Sequence, residues 1–166
     1  MRSQDLPLIV VIDDTVAADT ADSYCRDDFL KDMGEDLARF RFCTAYDDFD
    51  DDYLADVALE FVDGLEEMPA AALIDVMFGR ADKAKELGFE IMALLRQSKP
   101  RLAIIAMSSE SADSPVGEAA RHQTLFERAQ SRGADDFVRK PINKDELKQK
   151  LELALARRRP PPKTRR

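Results

Sequence analysis

Histidine, cysteine and long apolar runs are scarce in this chain of 166 residues, and each scarcity removes a class of function. The one histidine, His122, has no cysteine or second histidine near it in sequence, so it reads as a packing or surface residue, not a metal ligand. Cys25 and Cys43 are the two cysteines. Two make no disulfide framework, and reduced thiols of a cytoplasmic protein are the simpler expectation. The first apolar run, Leu8 to Ile12, is short and is cut off by Asp13-Asp14, which suits neither a signal peptide nor a membrane span. Positive charge is also thin in the body of the chain. Residues 1–156 carry 19 basic against 33 acidic groups, whereas residues 157–166 alone carry six basic groups. A body that acidic repels nucleic acid and anionic membranes and suits cations and basic protein surfaces.

What is present is an alternation of buried strands and amphipathic helices. Leu8–Ile12, Phe40–Ala45, Ala71–Val76, Leu102–Met107 and Asp136–Arg139 have strand length and composition. Between them run helical stripes. The first carries Cys25, Phe29, Leu30 and Met33 and ends near Gly34. The second carries Leu54, Val57, Ala58, Phe61, Val62 and Leu65. The third carries Leu87, Ile91, Leu94 and Leu95. A fourth is expected to open at Ser114-Pro115 and to carry Ala119, His122, Phe126 and Ala129 up to a cap at Gly133. The last starts at Asn143 with Glu146 in a capping box and presents Leu147, Leu151, Ala154 and Leu155. Six aspartates crowd residues 47–56, but the run has no glycine to bend a calcium loop. It reads as the acidic start of the second helix. Five β-α repeats predict one α/β domain over residues 1–156, a parallel sheet with helices on both faces. Residues 157–166, with three consecutive prolines, are expected to be a disordered basic tail.

The chemistry gathers at the strand ends. Strand one ends on Asp13-Asp14, strand three on Asp75, strand four on Ser108-Ser109, and strand five leads into Lys140-Pro141. In an open parallel sheet these positions form one edge, where ligands bind. Two unit charges about 4 Å apart repel by about 4 kcal/mol at an effective dielectric near 20, so three such acids require a cation. A hard divalent ion such as Mg²⁺ is the simplest. A carboxylate nucleophile, a divalent ion, a hydroxyl and a lysine together make a phosphoryl-transfer site.

From about Leu6 to Ala156 the sequence resembles the receiver domain of two-component response regulators. The matching pieces are Val11-Ile12-Asp13-Asp14, Leu73-Ile74-Asp75, the helix Gly88 to Arg96, Met107-Ser108-Ser109, and Gly133 to Pro141. The resemblance implies a flavodoxin-like, doubly wound five-stranded sheet in the order 2-1-3-4-5. It implies that Asp75 accepts a phosphoryl group from a histidine kinase or phosphotransfer protein. Asp14 would ligate Mg²⁺ directly, Asp13 through water and Met77 through its backbone carbonyl. Ser108 and Lys140 would hold phosphoryl oxygens, with Lys140-Pro141 in a cis peptide. Ser108 and Phe137 match the family's switch pair. The sequence departs from the family's pattern where Gly79 stands in place of a common proline. Three stretches are also longer than usual: Asp14 to Phe40, Met77 to Gly88, and Ser108 to Gly133.

On this reading the chain is a phosphoacceptor and not an enzyme with turnover, and its output passes to a downstream protein or along a phosphorelay. Its oligomeric state is not legible. Two rivals stand beside it. One is a receiver-fold interaction module that is never phosphorylated. The other is a phosphatase of the haloacid-dehalogenase type, which wants an acid where Thr15 stands and leaves Asp75 without a role.

Overall fold

A computed structural model describes residues 6–13, 26–43, 54–78, 86–114 and 123–158. The strands are β1 (Leu8–Ile12), β2 (Arg39–Cys43), β3 (Ala71–Asp75), β4 (Ala103–Ser108) and β5 (Asp136–Arg139). The helices are α1 (Arg26–Met33), α2 (Leu54–Asp63), α3 (Gly88–Ser98), α4 (Leu125–Ser131) and α5 (Lys144–Arg158). All strand pairs are parallel and the sheet order is β2-β1-β3-β4-β5, as expected.

The three central strands are buried along their whole length, which is why they read as unbroken apolar runs. Alternate residues feed two cores. Val10, Ile12, Ala72, Ile74, Ile104, Ala106 and Phe137 face α2, α3 and α4. On the other face, Ile9, Val11, Leu73, Ile105, Met107 and Val138 pack on Phe29 and Met33 of α1 and on Leu147, Leu151 and Ala154 of α5. The period of two along each strand therefore sets which helices a residue meets.

Most boundaries fall within a residue or two of expectation, and the exceptions have identifiable causes. Gly34 closes α1 at φ +66°, the left-handed conformation a helix end favours. Gly133 follows α4 at φ +104°. Gly64 terminates α2, so Leu65 lies past its end, half-buried. Ser108 belongs to β4 itself, not to the loop after it. The helix before β5 begins at Leu125, where Thr124 and Glu127 form a reciprocal capping box. The expected start at Pro115, with Ala119 and His122, lies outside the described residues, as do Cys25, Gly79 and the aspartates from Asp47 to Asp52.

Helix α5 does not stop at Ala156. It continues through Arg157 and Arg158, because the Arg158 guanidinium is held by Asp135: Nε lies 3.0 Å from Oδ1, and the terminal amine bonds the same oxygen. Asp135 is buried at the start of β5, where it also accepts from Arg96 Nη2 and from the backbone amide of Ile104, each at 2.9 Å. One carboxylate thus ties α3, β4 and α5 together at the sheet edge opposite the candidate site.

Candidate functional site

Burial of the strands fixes where polar groups can appear. Asp13 follows the last residue of β1, and Asp75 is the last residue of the neighbouring strand β3. Both are buried. Lys140, one residue past β5, reaches across the top of the sheet and places Nζ 3.0 Å from Asp13 Oδ2 and 2.9 Å from Asp75 Oδ2. The Lys140-Pro141 peptide is cis. Three residues at sequence positions 13, 75 and 140 therefore meet at one ammonium. Asp14 lies outside the described residues.

Burial, and then repulsion from Asp13, push the Asp75 carboxyl up to about 7, against the pull of Lys140. The Lys140 ammonium is drawn down by burial, but the two carboxylates and their hydrogen bonds outweigh that and hold it above its ordinary value. The backbone amide of Met77 donates to Asp75 Oδ1 at 3.3 Å. With Oδ2 on the lysine, the carboxylate is fixed at both oxygens.

Ser108 is buried at the end of β4, and Met107 lies opposite Asp75 in register. Its Oγ accepts from the amide of Glu110 at 3.2 Å, and its carbonyl accepts the backbone amide of Lys140 at 2.8 Å. The serine thus anchors the segment that carries the lysine. Phe137 is buried on β5 and meets Phe126 of α4 edge to face, with ring centroids 6.4 Å apart. Beside it is a cleft of about 210 Å³ lined by Ala112, Phe126 and Lys150 among others.

Gly88 was legible in sequence as the start of a helix but not as part of the site. Its amide donates to Val76 at 3.1 Å, and a Cβ there would overlap the carbonyl oxygen of Asp75. The first turn of α3 is seated against the backbone of the acidic strand end. Only a residue without a side chain allows that approach.

Among the described residues no three acidic, histidine or cysteine side chains form a metal cluster. The donors that converge are the carboxylates of Asp13 and Asp75, already sharing one cation, the Lys140 ammonium. Oxygen donors around a shared positive charge fit a hard divalent ion.

This architecture is a doubly wound α/β sheet with a carboxylate–lysine cluster at the carboxyl edge of its strands. The fold is that of the CheY-like response regulator receiver domain. No protein-family model and no curated protein matches the sequence. Solved structures are similar in fold. A response regulator receiver domain protein (CheY-like) from Methanospirillum hungatei JF-1 is similar at 17% identity and TM-score 0.59, over 93% of this chain and 97% of that one. The Francisella response regulator 1452 receiver domain is similar at 18% and 0.57, over 92% and 99%. NtrX from Brucella abortus matches at 23% and 0.57 over 92% of this chain, which spans 27% of its length.

Proposed function

We propose that this protein is a phosphoacceptor receiver domain of a two-component or phosphorelay system, with Asp75 as the acceptor. The observation that carries the reading is the meeting of Asp13, Asp75 and Lys140 at the carboxyl edge of a sheet with receiver topology. The phosphatase alternative gives Asp75 no task. Here that residue is instead buried at the strand end and bonded to Lys140.

In the proposed reaction Asp75 attacks phosphorus of a phosphohistidine on a histidine kinase or phosphotransfer protein. A bond from a carboxylate oxygen to phosphorus forms, the phosphorus–nitrogen bond breaks, and the imidazole leaves with that electron pair and takes a proton. Asp13, Asp14, Asp75 and the Met77 carbonyl would hold Mg²⁺, which supplies charge neutralisation to the phosphoryl oxygens. Lys140 contributes an ammonium to a phosphoryl oxygen, and Ser108 a hydroxyl once it leaves the Glu110 amide. A phosphoryl group adds negative charge and strong acceptors beside Asp13, so Lys140 and Ser108 are drawn toward it. Movement of Ser108 opens space that Phe137 can enter, and the cleft beside Phe137 is where a downstream protein would sense the change. The protein then acts as a signalling domain of the cytoplasm, without substrate turnover beyond its own phosphorylation and dephosphorylation.

The test is incubation with acetyl phosphate and Mg²⁺, read by intact mass. A gain of one phosphoryl group that is lost in Asp75→Asn is the expected result. Gain by the Asp75→Asn protein would move the acceptor elsewhere, and no gain by the parent from acetyl phosphate or a phosphorylated phosphotransfer protein would favour an interaction module that is never phosphorylated.

A further inference from the structure

At the amino-terminal edge of the sheet, opposite the acids, lies a groove of about 720 Å³. Its floor comes from residues that precede strands: Pro7 before β1, Pro69 and Ala70 before β3, and Leu102 before β4. Leu155 of α5 closes one side, and Met68, 60% exposed, stands on the rim. An apolar hollow of this size is within the range that small organic ligands occupy, about 300–1,000 Å³.

The charge around it is unlike that of the rest of the chain. A third of the protein's residues are charged and acids outnumber bases, yet no Asp or Glu lines this groove. Its charged residues are Lys99, Arg101 and Arg158. Lys99 is paired with Asp63, and Arg158 is bonded to Asp135, a carboxylate it shares with Arg96. Arg101 is exposed and has no ion-pair partner among the described residues. An unmatched guanidinium beside an apolar floor calls for a ligand with one anionic end and an apolar body.

We propose that this groove binds a small amphipathic carboxylate, with its hydrocarbon part against Met68, Leu102 and Leu155 and its carboxylate on Arg101. The site is independent of the phosphoryl chemistry at Asp75 and stands or falls without it. A basic peptide is a poor occupant, since it would bring more positive charge to a rim already in positive excess. The small volume also argues against a macromolecular surface.

The probes are dodecanoate, below its micelle concentration, and dodecyltrimethylammonium, each titrated into the isotope-labelled full chain and followed by backbone amide shifts. The protein's formal charge is −8, so non-specific attraction would favour the cation. The expected result is at least tenfold preference for dodecanoate, with shifts at Met68, Ala70, Arg101 and Leu102. Arg101→Glu should weaken binding at least fivefold, and so should Met68→Asp, each with an unchanged thermal melt, because both residues are exposed. Equal binding of the two probes, shifts spread through the sheet, or full affinity in Arg101→Glu would overturn the proposal. It would also fail if dodecanoate did not bind and Met68→Asp moved the signals of residues 159–166, which would identify the chain's own end as the occupant.

Discussion

Gly88 lies against the carbonyl of Asp75 so closely that a Cβ on it would overlap that oxygen. The contact fixes the acidic strand end from behind, through backbone and not side chain. Gly88→Ala must push α3 away or shift the last residue of β3. Overpacking of this kind costs about 1–3 kcal/mol, and here it should also lower phosphoryl uptake at Asp75. At Gly64 an added Cβ would come 3.3 Å from the Glu60 carbonyl, with no contact to the site. Gly64→Ala should therefore leave uptake unchanged. Urea melts and mass-detected uptake on both variants check the contrast.

Asp135 gathers Arg96, Arg158 and the Ile104 amide at the far end of the sheet. Asp135→Ala leaves the buried Ile104 amide without its acceptor and the Arg96 guanidinium, still bonded to the carbonyls of Pro100, Leu102 and Gly133, without its counter-charge, an expected loss of about 3 kcal/mol. Arg158→Ala leaves Asp135 still held by the other two donors, and the side chain is 30% exposed, so about 1 kcal/mol is expected. A chain ending at Ala156 should lose a similar amount and still fold. Denaturant midpoints of the three proteins give the order directly.

These two contacts also mark where sequence reading stops. The three central strands were legible because a fully buried strand carries no polar residue before its end, and the site edge was legible because acids, serine and lysine stand at or just past strand ends. The role of Gly88 was not, since the atom it abuts is a backbone carbonyl that every sequence provides. Nor was the end of α5. Three prolines and a run of arginines signal a stop, but the partner that extends the helix to Arg158 is 23 residues earlier and on another element. At α4 the Ser114-Pro115 signal is the more conspicuous in sequence, whereas the helix is capped ten residues later by the Thr124–Glu127 box.

Asp75 gives the fold a defined pH dependence when metal is removed. Its folded value near 7 is above the ordinary 3.8, so between those values the native protein holds a proton that the unfolded chain has released. Stability from this group therefore falls as pH rises from about 4 to about 7 and is level above that. The ceiling is about 4 kcal/mol at 1.36 kcal/mol per unit. Asp75→Asn removes the titration. Its stability advantage over the parent in EDTA should be absent near pH 4, grow through pH 6, and level off above pH 7. An advantage that did not vary with pH would mean the acid is not buried beside Asp13.

Lys140 supplies the cation that both acids share, and this makes its removal the sharpest probe of the cluster. In Lys140→Met the side chain keeps its length and loses its charge, so Asp13 and Asp75 lose the ammonium they share. Breaking a buried ion pair by deleting one partner costs about 3–5 kcal/mol. Part of that loss should return as Asp75 stays protonated, so the variant should melt closest to the parent at acidic pH. A divalent ion that binds the native carboxylates stabilises by mass action, and it no longer competes with the ammonium for Asp13 Oδ2 and Asp75 Oδ2. The expected outcome is a larger rise in Tm on adding Mg²⁺ to Lys140→Met than to the parent, at neutral pH. In Asp13→Asn, which keeps the lysine and removes one acid, the rise should be smaller than in the parent. Equal Mg²⁺ responses in all three would show that Asp13 and Asp75 do not share an ion, whatever Asp75 does with phosphate.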